Sequence, residues 1–130
     1  MEDSDKTMLI NYRIDQAKES VKEVEILIKN DLLKVAVNRI YYGMFYIILA
    51  LAIKYDFKTS KHRQLIGWFN KSFIKTKRID KKYGEIINDA FESRSEVDYG
   101  IFIKIKTNDV ERMYSEMKEF INEIIKFLKD

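Results

Sequence analysis

Apolar positions recur every three to four residues along most of the chain, and that spacing predicts helices. From about Asp5 to Lys29, the residues Ile10, Ile14, Ala17, Val21, Val24 and Ile28 form one stripe. Asn30-Asp31 breaks the pattern, and Asp31 is expected to cap the next helix. The second helix is expected from about Leu32 to Tyr55. Its first half is amphipathic and its second half is apolar nearly all round, so it is the expected central element. A third helix follows Lys58-Thr59-Ser60, with Thr59 or Ser60 as cap. It carries Leu65, Ile66, Trp68, Phe69 and Phe73 over a basic polar face. The fourth begins after Asp80, another expected cap, and ends near Asp98 to Gly100. Tyr83, Ile87, Ala90 and Phe91 make its apolar face. Ile101, Ile103 and Ile105 alternate as in a strand, but the segment is isolated and is read as extended loop. Asn108 with Glu111 resembles a capping box before a fifth helix bearing Val110, Met113, Met117, Phe120, Ile124 and Phe127 or Leu128.

Composition agrees with this pattern. The 130 residues include no proline and four glycines, too few turn formers for a sheet protein. The expected fold is all-α: one domain over residues 1–130, an up-and-down bundle of four main helices plus a shorter one. Cysteine is absent, which removes disulfides and thiolate chemistry and agrees with a cytoplasmic location. The opening MEDSDKTM is acidic and polar, unlike a secretory signal. The apolar run Ile40–Ile53 is shorter than the ~18 residues of a membrane span, so no membrane association is expected.

Net charge is only +3, but it is unevenly spread. Residues 54–82 hold ten Lys/Arg and two acids, a balance of +8; the remainder holds fourteen basic and nineteen acidic residues, a balance of −5. A basic middle between acidic flanks suits a polyanion or an acidic partner, or is a solvated lysine-rich face.

Three constellations bear on chemistry. Arg94 lies on the apolar side of the fourth helix, with Asp98 four residues on. The pair is either a buried strut that fixes helix register or an arginine held ready for a phosphate. In Asn38-Arg39-Ile40-Tyr41-Tyr42-Gly43-Met44-Phe45-Tyr46, the side chains of Arg39, Tyr42 and Tyr46 share one helical sector and Tyr41 points nearly opposite. An arginine with two phenols can hold a phosphate and stack a base, and the rings can equally serve as packing. Gly43 permits close approach of another helix. In Lys61-His62-Arg63, the only histidine stands at a helix start among cations, and both disfavour its charged form. It is then a neutral base, or a cap or packing residue. One histidine rules out a His-rich metal site, and no metal or cofactor is expected. Glycine-rich phosphate loops and nucleophile elbows are absent, so the residues by themselves name no enzyme.

Taken in order, these pieces resemble the HEPN domain family from about Leu9 to Leu128. The segment from Ala36 matches its second-helix pattern A-x-N-R-x-Y-Y-x-M-F. A histidine follows near the next helix start, and FESRSEVDYG resembles the R-x-x-x-D-Y segment. The resemblance implies a helical bundle that forms a homodimer. It also implies RNA or nucleotide association and a small nucleotidyltransferase partner of toxin–antitoxin type. On this basis Asn38, Arg39, Tyr42, Tyr46, Arg94 and Asp98 are the expected nucleotide- or RNA-binding residues. Relatives of the nuclease branch carry an arginine, four to six residues, then a histidine. Arg94 matches the arginine, but Tyr99 stands after four residues and no histidine follows. A metal-independent ribonuclease toxin is the alternative, with Arg94 on the phosphate and His62 or Tyr99 handling protons. A purely structural interaction domain is the third reading.

Overall fold

The computed structural model describes residues 3–100 and 104–129. The described chain is helical: α1 (Asp3–Lys29), α2 (Leu33–Lys54), α3 (His62–Phe69), α4 (Lys81–Asp98) and α5 (Thr107–Leu128). A π-helical turn, Asn70–Ile74, extends α3. Four long helices and one short one make up the expected bundle. The alternating isoleucines fall mostly outside the described residues; Lys104 to Lys106 are not in regular structure.

Why α2 is central follows from its sequence. Ala50, Ala36, Ile47, Ile40, Met44, Tyr41 and Phe45 spread over more than half of the helix circumference, yet each is almost wholly buried. A helix that is apolar all round must be covered on all sides, and α2 packs against α1, α3, α4 and α5. It is long and apolar enough to cross a membrane, but 67% of its most apolar window is buried inside the bundle, as in a core helix. Gly43 is where the backbone comes closest to its neighbours. A Cβ there would collide with the Met117 side chain of α5 and lie 3.1 Å from Ser20 Cβ of α1. At the far end of α2, Lys54 Nζ donates to the carbonyls of Phe127 and Leu128, at 3.3 and 3.4 Å. These belong to the last turn of α5, which lacks partners for its own carbonyls.

Local signals held in part. Asp80 caps α4 by accepting from the Lys82 N–H at 2.9 Å. Neither Thr59 nor Ser60 caps α3: Lys61 holds the cap position without a side-chain cap, and Thr59 accepts from the Lys61 N–H at 3.1 Å in the turn before it. Asp31 is not a cap: it takes a left-handed backbone with φ of 57°, a conformation Asp tolerates better than most residues, and Leu32 precedes α2 without a side-chain cap. Asn108 is not a cap either, because α5 already starts at Thr107.

Candidate phosphate-binding site

Two helices of the bundle form the walls of a cleft of about 500 Å³, and α2 supplies what lies behind them. The first turn of α3 contributes Lys61, His62, Arg63 and Gln64; the last turns of α4 contribute Phe91, Arg94, Ser95, Asp98 and Tyr99. Thus the chain brings its only histidine and Arg94 into one hollow, although 31 residues separate them in sequence.

Arg94 is held from several sides. Its Nη2 donates to the Tyr42 hydroxyl at 3.1 Å, and its guanidinium lies 5.4 and 5.3 Å from the ring centres of Tyr41 and Tyr42. Its Nε stands 2.7 Å from Asp98 Oδ2, one helical turn on. The Nε–H finds no acceptor in line, so this contact is an ion pair rather than an aligned hydrogen bond. The expected pair therefore forms, but not as a buried strut. The two side chains are 23% and 38% exposed, at the mouth of the cleft. A partly wet guanidinium with one carboxylate partner keeps donors for a second anion.

His62 is held by aromatic rings and by one polar contact. Its ring lies flat on Phe45, with centres 4.0 Å apart and planes 11° off parallel. The Tyr42 ring meets it edge-on at 5.7 Å. Its Nδ1 is 2.7 Å from the Tyr41 hydroxyl. Burial lowers the His62 pKa below its usual 6.5, and the Arg94 charge lowers it further. The sequence points in the same direction through the helix start and the neighbouring cations; the physical causes are burial and Arg94. Burial also pushes the Tyr41 phenol well up, more than Arg94 draws it down, so that it stays protonated. A neutral imidazole fixed at Nδ1 leaves Nε2 as the nitrogen not engaged by Tyr41, in a residue that lines the cleft.

Tyr41 is the residue beside the cleft that the sequence does not single out. Against the expected direction, nearly opposite the Arg39–Tyr42–Tyr46 sector, its ring meets Tyr42 edge-on at 5.4 Å, and both rings face His62 and Arg94. The signal was available in principle: a phenol on a helix covered all round needs a polar partner. Arg39 and Tyr46 do not line the cleft. Arg39 lies 5.4 Å from the Tyr42 ring centre and donates to the Asn38 side chain at 3.4 Å. Tyr46 packs on Tyr42 at 6.1 Å. Of the six expected binding residues, Arg94 touches both Tyr42 and Asp98, while Arg39 and Tyr46 pack on Tyr42 outside the cleft and Asn38 accepts from Arg39. Tyr99 lines the cleft and is 83% exposed. Among the described residues, no three His, Asp or Glu side chains are grouped to hold a metal.

Comparison with known proteins decides the family. The HEPN domain profile matches residues 10–128. The chain belongs to the HEPN domain family. It is 33% identical over 127 residues to a UPF0332 protein of Thermotoga maritima, covering 98% of this chain and 96% of the relative. Two proteins of Methanocaldococcus jannaschii, each named as a candidate toxin, are also similar. One is 35% identical, covering 88% of this chain and 78% of its own length; the other is 31% identical, covering 93% and 90%. In this HEPN domain the only histidine, His62, precedes Arg94 in the chain.

Proposed function

We propose that this HEPN domain is a toxin-like module that binds a phosphate of RNA or of a nucleotide in the His62–Arg94 cleft. The observation that carries the reading is the convergence of Arg94, Lys61 and Arg63 on one hollow against a single acid, Asp98. Arg94 has the fixed, planar donors suited to a phosphate, and the Tyr42 hydroxyl and Asp98 orient it. Tyr99 and Phe91 offer ring surface beside the anion site for a base. Direct titration with a short single-stranded RNA tests this. Wild type is expected to bind with an affinity that falls as salt rises, and Arg94→Ala to lose most of it. Undiminished binding by Arg94→Ala would refute the assignment.

A second reading, cleavage, is favoured by the Tyr41–His62 contact. With its Nδ1–H donated to Tyr41, the neutral ring presents Nε2 as a base. Nε2 takes the proton of a ribose 2′-hydroxyl, whose oxygen attacks the adjacent phosphorus. The bond to the 5′-oxygen breaks, leaving a 2′,3′-cyclic phosphate, and the 5′-oxygen is protonated by the resulting imidazolium or by the Tyr99 phenol. Arg94 offsets charge on the phosphoryl oxygens. RNA cut in the presence of EDTA by wild type but not by His62→Ala supports this reading; equal cutting by both excludes it.

The partnership with a small nucleotidyltransferase, and a homodimeric state, are part of the same proposal on the strength of family membership. Co-purification with a co-expressed nucleotidyltransferase and light scattering of the isolated protein test them.

A further inference from the structure

The basic middle of the chain is only partly used by the cleft. Three of its other cations, Lys71, Lys75 and Lys81, meet along the same seam. One helical turn beyond the cleft, on both walls, lies a second hollow of about 620 Å³. Its α3 side is carried by Gly67 and the π-helical turn, with Lys71 and Lys75; its α4 side carries Lys81, Gly84 and Asn88. Gln64 of the cleft and Gly67 of the second hollow are three residues apart on α3, and Phe91 and Asn88 are three apart on α4. Three residues are about one helical turn, so the two hollows follow each other along one seam. The seam stays open because α4 meets the α3 segment chiefly through the π-helical turn. There Asn70 Nδ2 donates to Asn88 Oδ1 at 3.2 Å across the gap. Gly84 makes that bridge possible, since a Cβ at this position would lie 3.0 Å from Asn70 Oδ1 and 3.2 Å from Ile74.

We infer that the α3–α4 seam is a track for single-stranded RNA, with the His62–Arg94 cleft at one end; the inference rests on the reading of that cleft as a phosphate site. Six cations line the seam, three in each hollow, against two acids, Asp98 and Glu85, a balance of +4 with His62 neutral. The 18 residues of α4 span roughly 27 Å at ~1.5 Å per residue. A groove of that length fits the short end of single-strand binding sites, which take about 4–16 nucleotides. The opposite side of α4 has the reverse sign. A hollow between α4 and α5 is lined by Asp89, Glu92, Glu96 and Glu116, with Arg112 as its one cation. A polyanion is therefore drawn to one side of α4 and repelled from the other.

Binding of 2′-O-methyl oligouridylates, which resist cleavage through the 2′-oxygen, separates track from cleft. The probes are one of about three nucleotides and one of about twelve. Wild type should bind the long probe more tightly than the short one. The variant Lys71→Gln/Lys75→Gln/Lys81→Gln changes only exposed side chains. It should lose about tenfold to a hundredfold in affinity for the long probe. The slope of log K against log salt should become shallower by about 2, at ~0.7 per phosphate contact. Its affinity for the short probe should equal wild type. Unchanged long-probe affinity in the variant, or equal affinity of wild type for both probes, would overturn the track and leave the cleft reading standing. If wild type binds neither probe, the cleft reading falls and the track with it.

Discussion

The Tyr41 hydroxyl and His62 Nδ1 stand 2.7 Å apart, one from the most buried helix and the other from the first turn of α3. This contact ties the short helix to the core and sets the orientation of the chain's only imidazole. Either tautomer satisfies it, because a protonated phenol both donates and accepts. The tautomer decides the chemistry: Nδ1–H donated to Tyr41 makes Nε2 a base, whereas Nδ1 accepting from Tyr41 makes Nε2–H a donor to an anion.

Replacing Tyr41 by Phe tests the contact without disturbing the ring packing on Phe45 and Phe91. The loss of one hydrogen bond should reduce stability by about 1 kcal/mol. The larger expected change is at His62, whose tautomer ratio should shift in nitrogen-detected NMR. A spectrum identical to wild type would mean that Tyr41 does not orient the ring.

Replacing Arg94 by Ala separates a binding arginine from a structural one. A buried ion pair broken on one side costs about 3–5 kcal/mol. Here the side chains of the pair are 23% and 38% exposed, which places the contact nearer surface pairs at about 0–1 kcal/mol. Adding the bond to Tyr42 gives an expected loss of about 1–2 kcal/mol in denaturant unfolding. RNA affinity should fall much further than that loss accounts for. A stability loss above about 4 kcal/mol, with binding intact, would instead favour the strut.

The sequence made the bundle legible because periodicity, scarce turn formers and the all-apolar α2 agreed with one another. Asp80 was readable as a cap because only residues adjacent in the chain are involved. Asp31 and Asn108 were misread because the same residue types also suit left-handed turns and interior helix positions. The Arg94–Asp98 contact was visible as a four-residue spacing, but its exposure was not, since that depends on how far α3 stands from α4. For the same reason the sequence held His62 and Arg94 as separate clues. Their shared cleft is a tertiary fact, set by the 11 residues between α3 and α4 and by the π-helical turn among them.

Stability should depend on pH through His62. Its native pKa lies below 6.5, so as pH falls the unfolded chain takes up the proton first. Proton uptake favours the unfolded state, and stability should decline as pH drops below about 6.5, levelling off once native His62 is itself protonated. Urea midpoints compared between about pH 7.5 and about pH 5.5 lie above the range where most carboxylates titrate. Wild type should lose more across that interval than His62→Gln. Parallel losses in the two proteins would show that burial does not hold His62 neutral.

Gly43 tests the packing that places Tyr41 and Tyr42. A methyl group there would strike the end of the Met117 side chain, which is flexible, with Ser20 of α1 at its other side. Overpacking of this kind costs about 1–3 kcal/mol, partly offset by about 0.5–1 kcal/mol from alanine's better helix propensity. Gly43→Ala is therefore expected to be mildly destabilising, and Gly43→Val clearly more so. Met117→Ala alone opens a cavity beside a wholly buried side chain and should cost about 2–5 kcal/mol. In the double variant Gly43→Ala/Met117→Ala the new methyl enters space that Met117 has left. The combined loss should then be smaller than the sum by about 0.5–3 kcal/mol, the range for residues in contact. Strict additivity in denaturant unfolding would show that α2 and α5 do not meet closely at Gly43, and the register that sets Tyr41 against His62 would need another cause.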